Sequence, residues 1–202
     1  MAQAFQSTAT LNTRKKLLMN SEAPFPALAT PRLHLRAIQP TDAEDVFAFK
    51  SDRAVMDFYG DEPHQSLEET QTLIRELAEA YIKRDAIHWG ITRLHDDHVI
   101  GSCTLFLHAP HYAEIGYELH PAYWRQGLMT EALTAIVTYG FTDLGLQRIE
   151  AAMDGRNVPS RQLLLKLGFS YEGNLRQRFF FGNEFLDAHY FGMLRSEWPP
   201  TR

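Results

Sequence analysis

The chain has 202 residues, with 20 Lys plus Arg against 25 Asp plus Glu and a formal charge of −5. That length fits one domain better than two, and so mild an acidity argues against a general nucleic-acid or anionic-membrane binder. With 45% hydrophobic and 12% aromatic residues the chain can bury a core, while a single cysteine, Cys103, excludes an internal disulfide and a multi-cysteine zinc site.

Residues 1–30 are rich in Ala, Ser, Thr and Gln, lack a sustained period and run into Pro24, Phe25, Pro26, which predicts a flexible extension before a domain at 31–198. Within it, Arg14, Lys15 and Lys16 precede only Leu17, Leu18 and Met19, too short an apolar run for an export signal, and no later stretch reaches the roughly 18–20 apolar residues of a membrane span. A soluble, cytoplasmic protein is expected. Leu33, Leu35 and Ala37 alternate with Arg32, His34 and Arg36 as in a half-buried strand that Pro40 stops. Thr41 is the expected cap of a short helix carrying Val46, Phe47 and Lys50, and Ser66 with Glu69 predicts a capping box before an amphipathic helix through Leu67, Ile74, Leu77, Ala78 and Tyr81. Strands at 88–93 and 99–107 flank a tight turn placed at Asp96 and Asp97. Ala113, Ile115, Tyr117 and Leu119 mark a fourth strand; a glycine loop and a helix over 130–141 follow, then a fifth strand at 148–153, an order that implies a right-handed parallel crossover. A helix over 160–167 ends at Gly168, placed for a left-handed cap, and strands around Gly182 and Asn183 close the chain as a hairpin. The predicted class is α/β with a mixed sheet.

The most informative stretch is LHPAYWRQGLMT, residues 119–130, which leads from a strand into a helix. A glycine turn at a helix start exposes backbone N–H groups where the helix dipole favours an anion, and Arg125 adds a charge. Phosphate or diphosphate is the expected guest, against the plainer reading of a strand-to-helix connection with a surface arginine. No Gly-Lys-Ser/Thr follows and no three-glycine fingerprint is present, so Walker and dinucleotide sites drop out.

The run AEIGYELHPAYWRQGLMTEAL from Ala113, followed by NVPSRQLLLKLGF from Asn157, resembles the acetyl-CoA-binding core of the GNAT N-acetyltransferases. EGNLRQRF and LRSEW further resemble the RimJ/RimL branch, which acetylates ribosomal-protein N-termini. The resemblance implies a mixed sheet whose fourth and fifth strands splay around the pantetheine arm. Leu119 and its neighbours would then contact that arm through their backbone, Arg125, Gln126, Gly127, Leu128, Met129 and Thr130 would wrap the diphosphate, and Asn157 would touch the cofactor arm. Met129 stands where the family often has Gly or Ala; its N–H remains available. The implied activity is acetyl transfer from acetyl-CoA to a primary amine by direct attack, with a protein or peptide N-terminus expected first and a small amine second. A non-catalytic acyl-CoA sensor is the alternative from another class. Neither oligomeric state nor the acceptor is legible.

Direct attack needs a neutral amine, a polarised carbonyl and a proton for the departing thiolate. Glu114, Gly116 and Glu118 share one strand face, and Glu118 is the preferred general base, with Glu150 and Glu114 as alternatives. The tyrosine that many GNAT members carry seven residues after the Asn157 equivalent is Leu164 here, so Ser160 becomes the candidate proton donor, or simply the cap of its helix. A bulge near 118–120 is expected to turn an N–H toward the thioester oxygen. Cys103 reads as an inert core thiol, and His108, His111 and His120 do not have zinc-ligand spacing, so no metal is predicted. Tyr59 and Phe58, after Val55 and Met56, are candidates for the acceptor side, with core packing the competing reading for Phe58. Phe179, Phe180 and Phe181 read as hairpin packing.

Overall fold

Apolar residues at every second position of the strands, and at three- and four-residue spacing in the helices, give each element one buried face. The computed structural model, which describes residues 24–198, uses those faces to sandwich one eight-stranded sheet between two groups of helices. The strands are β1 (Leu28–Ala29), β2 (Leu33–Ala37), β3 (Ala86–Arg93), β4 (Asp96–Ala109), β5 (Tyr112–Leu119), β6 (Arg148–Asp154), β7 (Ser170–Phe181) and β8 (Glu184–Leu194). The helices are α1 (Ala43–Lys50), α2 (Arg53–Met56), α3 (Leu67–Lys83), α4 (Leu128–Thr142) and α5 (Val158–Leu167).

The sheet order is β1-β2-β3-β4-β5-β6-β8-β7, and every neighbouring pair is antiparallel except β5 with β6. Those two pair in parallel through Tyr112↔Arg148, Ala113↔Ile149 and Glu114↔Glu150, and then part. β5 stays paired with β4 to Gly101↔Leu119, and β6 stays paired with β8 to Asp154↔Ala188. The expected splay is therefore present. It lies between strands five and six, because a short first strand precedes the ones legible in the sequence.

On one face, α4 presents Leu128, Ala132, Leu133, Ile136, Val137 and Phe141 to a core that includes Leu35, Trp89, Cys103, Leu105, Ile115 and Ile149. On the other, Val46 and Phe49 of α1, Val55 and Met56, and Ile74 of α3 pack with Val99. Adjacent residues Val99 and Ile100 thus belong to different cores, as the alternation of a strand requires.

Several expectations need correction. Residues 1–23 of the expected extension lie outside the described residues, but Pro24 to Thr30 are part of the fold. Phe25 packs on Tyr81 and Trp89 at ring-centroid distances of 5.0 and 6.0 Å, the Trp89 indole N–H donates to the Pro26 carbonyl at 2.7 Å, and Leu28 pairs with Leu35. Sparse apolar residues hid a strand only two residues long. Thr41 caps nothing; Asp42 precedes α1 while its carboxylate binds the Arg36 guanidinium and the Gln39 N–H. Ser66 does accept from the Glu69 N–H at 3.3 Å, yet Glu69 reaches back to Gln65 rather than to Ser66. The β3–β4 turn sits at Leu94 and His95, with His95 at φ 68°, and Asp96 already pairs with Arg93. α4 begins at Leu128, two residues early, and residues 170–178, unassigned by periodicity, extend β7 through two register shifts. Gly168 at φ 96° caps α5 as expected.

Gly101 lies opposite Leu119, where an added Cβ would stand 2.5 Å from the Glu118 carbonyl oxygen and 2.9 Å from Leu119 Cα. Backbone on both strands must give way. Gly101→Ala is expected to cost about 2 kcal/mol, read as a melting temperature lower by roughly 4–8 °C.

Candidate active site

The open side of β5 can be worked out from its ladder. The His120 N–H donates to the Ile100 carbonyl at 2.9 Å, so by antiparallel alternation Glu114, Gly116 and Glu118 direct their backbone groups to β4. Those of Ile115, Tyr117 and Leu119 turn toward β6; the Ile115 N–H completes the last pair there, at Glu150, and beyond it the ladder has ended. No bulge is involved: the β4–β5 register runs unbroken from Phe106↔Glu114 to Gly101↔Leu119, and its one shift lies between Phe106 and Ala109. Ordinary alternation supplies the donors assigned to a bulge. The Leu119 carbonyl is already taken, by the Trp124 indole N–H at 2.6 Å, which leaves the N–H as Leu119's contribution.

Beyond β5 the chain reaches α4 through Arg125 at φ 62°, Gln126, and Gly127 at φ 74°. Arg125, Gln126 and Gly127 are exposed, and no side chain caps the helix, so the first-turn N–H groups of Leu128, Met129 and Thr130 face outward without an internal acceptor. Met129 sends its side chain inward, Sδ 3.5 Å from Cys103 Sγ, so its bulk does not crowd the turn. Arg32 anchors this corner: it donates to the Gln126 carbonyl at 3.0 Å and to Glu131 at 2.6 Å, while Thr30 donates to the same carboxylate at 2.6 Å. Two strand edges without partners, ending at an uncapped helix start, suit an extended arm with amide groups that carries a diphosphate.

Asp154 shapes the turn from β6 into α5 by accepting from the Arg156 N–H and binding its guanidinium. Asn157 then caps the helix, its Oδ1 accepting from the Ser160 N–H at 3.0 Å. Ser160 is therefore not the cap, and its hydroxyl is free to meet Tyr117 Oη at 2.7 Å. Leu164, where a tyrosine was sought, is fully buried. Burial pushes the Tyr117 phenol well up, so it stays protonated across the neutral range, although the Ser160 hydrogen bond works weakly the other way.

The opposite face of β5 carries charge. Glu118 is buried; Oε1 accepts from Ser102 Oγ at 2.8 Å, and the Lys50 ammonium lies 2.8 Å from Oε2, near it but off the hydrogen-bond line. Lys50, also buried, sits 4.1 Å from the centroid of the Tyr59 ring, whose hydroxyl lies over Gly116. Glu150 is held by Arg148 at 2.6 Å, and Arg148 also pairs with Glu172. Glu114 is less committed, with His108 Nε2 3.5 Å away. Tyr59 lies on this face, Val55 and Met56 are core, and Phe58 is exposed, which removes the core reading for it. His88, bonded to Thr104 at 2.8 Å, is held neutral down to about pH 4 by burial and by the Lys50 charge; His64 is lowered by the same two causes. Cys103 is fully buried and its thiol pushed up. His120 accepts from the Ala122 N–H, and Phe180 packs at a tilt against Phe185 across the hairpin.

The model of the acetyltransferase (GNAT) domain matches residues 32–170. The chain belongs to the GNAT acetyltransferase family. It is 39% identical over 173 residues to the uncharacterized N-acetyltransferase YoaA of Bacillus subtilis, covering 85% of this chain and 98% of that protein. It is 27% identical to the spermidine N(1)-acetyltransferase of Escherichia coli, over 78% and 85% of the two chains. A solved structure from Vibrio cholerae, described provisionally as a ribosomal-protein-serine acetyltransferase, superposes with a TM-score of 0.73 at 27% identity, over 85% and 99%.

GNAT enzymes draw their acetyl group from acetyl-CoA. The sequence reading missed Lys50, Tyr117 and Arg32. Lys50 could have been sought as the residue one turn after Val46, on the buried face of α1; Tyr117 was visible in the alternation as a side chain opposite in sense to Glu118. Arg32 gave no signal, because its partner Glu131 is about a hundred residues away.

Glu118→Gln leaves the Lys50 ammonium buried without its counter-charge and is expected to cost about 3–5 kcal/mol in urea unfolding, whereas Lys50→Met with Glu118→Leu recovers most of it. The His88 imidazole protonates near 6.5 when unfolded and near 4 when folded. As pH falls through that interval the unfolded state takes the proton first, so stability drops by up to about 3 kcal/mol, and His88→Gln flattens this part of the profile.

Proposed function

We propose that this acetyltransferase modifies the free amino group of a protein or peptide N-terminus by direct attack of the amine on acetyl-CoA. The observation that carries the reading is the wedge itself, with unpaired backbone on both limbs, the outward N–H groups of Leu128, Met129 and Thr130, and a pair of hydroxyls joining the limbs. Bound acetyl-CoA supplies an activated acetyl thioester. The Ile115 C=O, the N–H and C=O groups of Tyr117 and the Leu119 N–H hold its extended arm, Arg125 to Thr130 hold the diphosphate, and Asn157, whose Oδ1 serves the helix cap, offers its amide nitrogen. Ser160 gives its hydroxyl proton to the departing sulfur. A group delivering such a proton in place accelerates transfer by roughly 10²–10⁴.

On the acceptor side, Glu118 is the base expected from sequence, but its oxygens already serve Ser102 and Lys50. Glu114, two residues away on the same face and with a single long contact, is the better-placed carboxylate to take the amine proton. The resemblance to the Vibrio cholerae protein supports a protein acceptor; that to the spermidine enzyme supports a small polyamine as the second reading.

Purified enzyme with acetyl-CoA and parallel panels of N-terminal peptides and polyamines, read by mass, is expected to add one acetyl group to the peptide α-amine. Preferential labelling of polyamines would overturn the peptide reading and leave the transfer chemistry standing. Glu114→Gln is expected to lower kcat about a hundredfold. Should Glu118→Gln, still folded, be the variant that loses turnover while Glu114→Gln retains it, Glu118 is the base.

A further inference from the structure

Tyr117 and Ser160 hold their hydroxyl oxygens 2.7 Å apart, and this contact joins the two limbs of the wedge. Tyr117 lies on β5 beyond the last β5–β6 pair; Ser160 lies in the first turn of α5, the helix that β6 leads into. The local structure does not need either hydroxyl. Asn157 caps α5, and backbone ladders hold β5. Two hydroxyls in contact have two orientations, and acceptor strength chooses between them. A phenol oxygen, its lone pair delocalised into the ring, accepts less well than an alcohol oxygen, so the favoured orientation has Tyr117 donating and Ser160 Oγ accepting. Burial keeps the phenol protonated, and so able to donate, throughout the neutral range. With Oγ accepting from Tyr117, the one proton of Ser160 points elsewhere and is left for a third partner.

We propose that Tyr117 is a positioning residue: by donating to Ser160 Oγ it aims the Ser160 proton at the sulfur that leaves the acetyl group. This rests on the assignment of Ser160 as the proton donor. The amine nitrogen forms a bond to the acetyl carbon, the carbon–sulfur bond breaks with its electron pair remaining on sulfur, and sulfur takes the Ser160 proton. The serine oxygen, stabilised by the Tyr117 hydrogen bond, regains a proton from solvent, to which the proton shed by the amine is finally released.

Two measurements test this. In the first, coenzyme A is bound to the enzyme and its thiol titrated through the ultraviolet absorbance of the thiolate. A hydrogen bond aimed at sulfur stabilises the thiolate, so the bound thiol is expected to ionise at a pH about one unit lower on the native protein than on Tyr117→Phe or Ser160→Ala. Ser160→Thr, which keeps the hydroxyl, retains the low value. In the second, Tyr117→Phe lowers kcat about tenfold with KM for acetyl-CoA within twofold, and the double variant is no slower than Ser160→Ala alone. Melting temperature and calorimetric affinity for coenzyme A check that each variant is folded. Identical thiol titrations in native protein and Tyr117→Phe, or losses that multiply in the double variant, overturn the positioning role. Full turnover in Ser160→Ala overturns the donor assignment itself; full turnover in Tyr117→Phe alone overturns only the inference.

Discussion

A hydrogen-bond ladder that stops after three pairs organises this protein. β5 is committed to β4 along its length and β6 to β8, and these two half-sheets diverge once Glu114 and Glu150 have paired. Backbone donors and acceptors deprived of a neighbouring strand must find another partner. Water can serve, but an extended chain carrying its own amides does so with the spacing of a strand. The fold thereby presents half of a ladder to a ligand that completes it, and the uncapped start of α4 stands where that ladder runs out.

The period of two along β5 sorts the chemistry. Ile115, Tyr117 and Leu119 point their side chains to α4 and α5 and their backbone into the wedge; Glu114, Gly116 and Glu118 face α1 and Tyr59 and bond to β4. In the proposed reading, donor handling and acceptor handling lie on opposite faces of one strand, one residue apart. Gly116 has a specific place in this arrangement, because the Phe106 ring comes within 3.3 Å of where its Cβ would stand. The Lys50–Glu118 pair lies just beyond. Removing two charges from water is expensive, and their mutual attraction roughly offsets that cost, so the pair is better understood as fixing the polarity of this face than as a source of stability.

Much of this was legible in the sequence because it follows from short-range rules. Alternation located β2 to β6, the Gly182–Asn183 dipeptide marked the final hairpin, and the glycine before Leu128 marked the helix start that a phosphate would meet. What escaped depends on partners distant in the chain. Glu118 was correctly placed beside Gly116 and Glu114, yet nothing local tells that a lysine 68 positions earlier closes over it. Ser160 was equally open to a capping role, and only the Asn157 side chain taking the Ser160 N–H frees its hydroxyl. The expected bulge was an error of a different kind: it supplied by an irregularity what regular alternation already provides once β6 has turned away.

The absence of a tyrosine at position 164 looks like the loss of a function only if a hydroxyl must come from a particular element. A buried leucine there packs α5 onto the sheet, and a hydroxyl on α5 one turn earlier sits at the helix end nearer the wedge. A serine alone is a short, rotationally free donor whose proton has three staggered positions. Pairing it with a phenol fixed on a strand removes that freedom, since the aromatic ring is held by β5 on one side and the core on the other. On the proposed roles, two weak features, a serine and a strand tyrosine, together hold a single proton in a single direction.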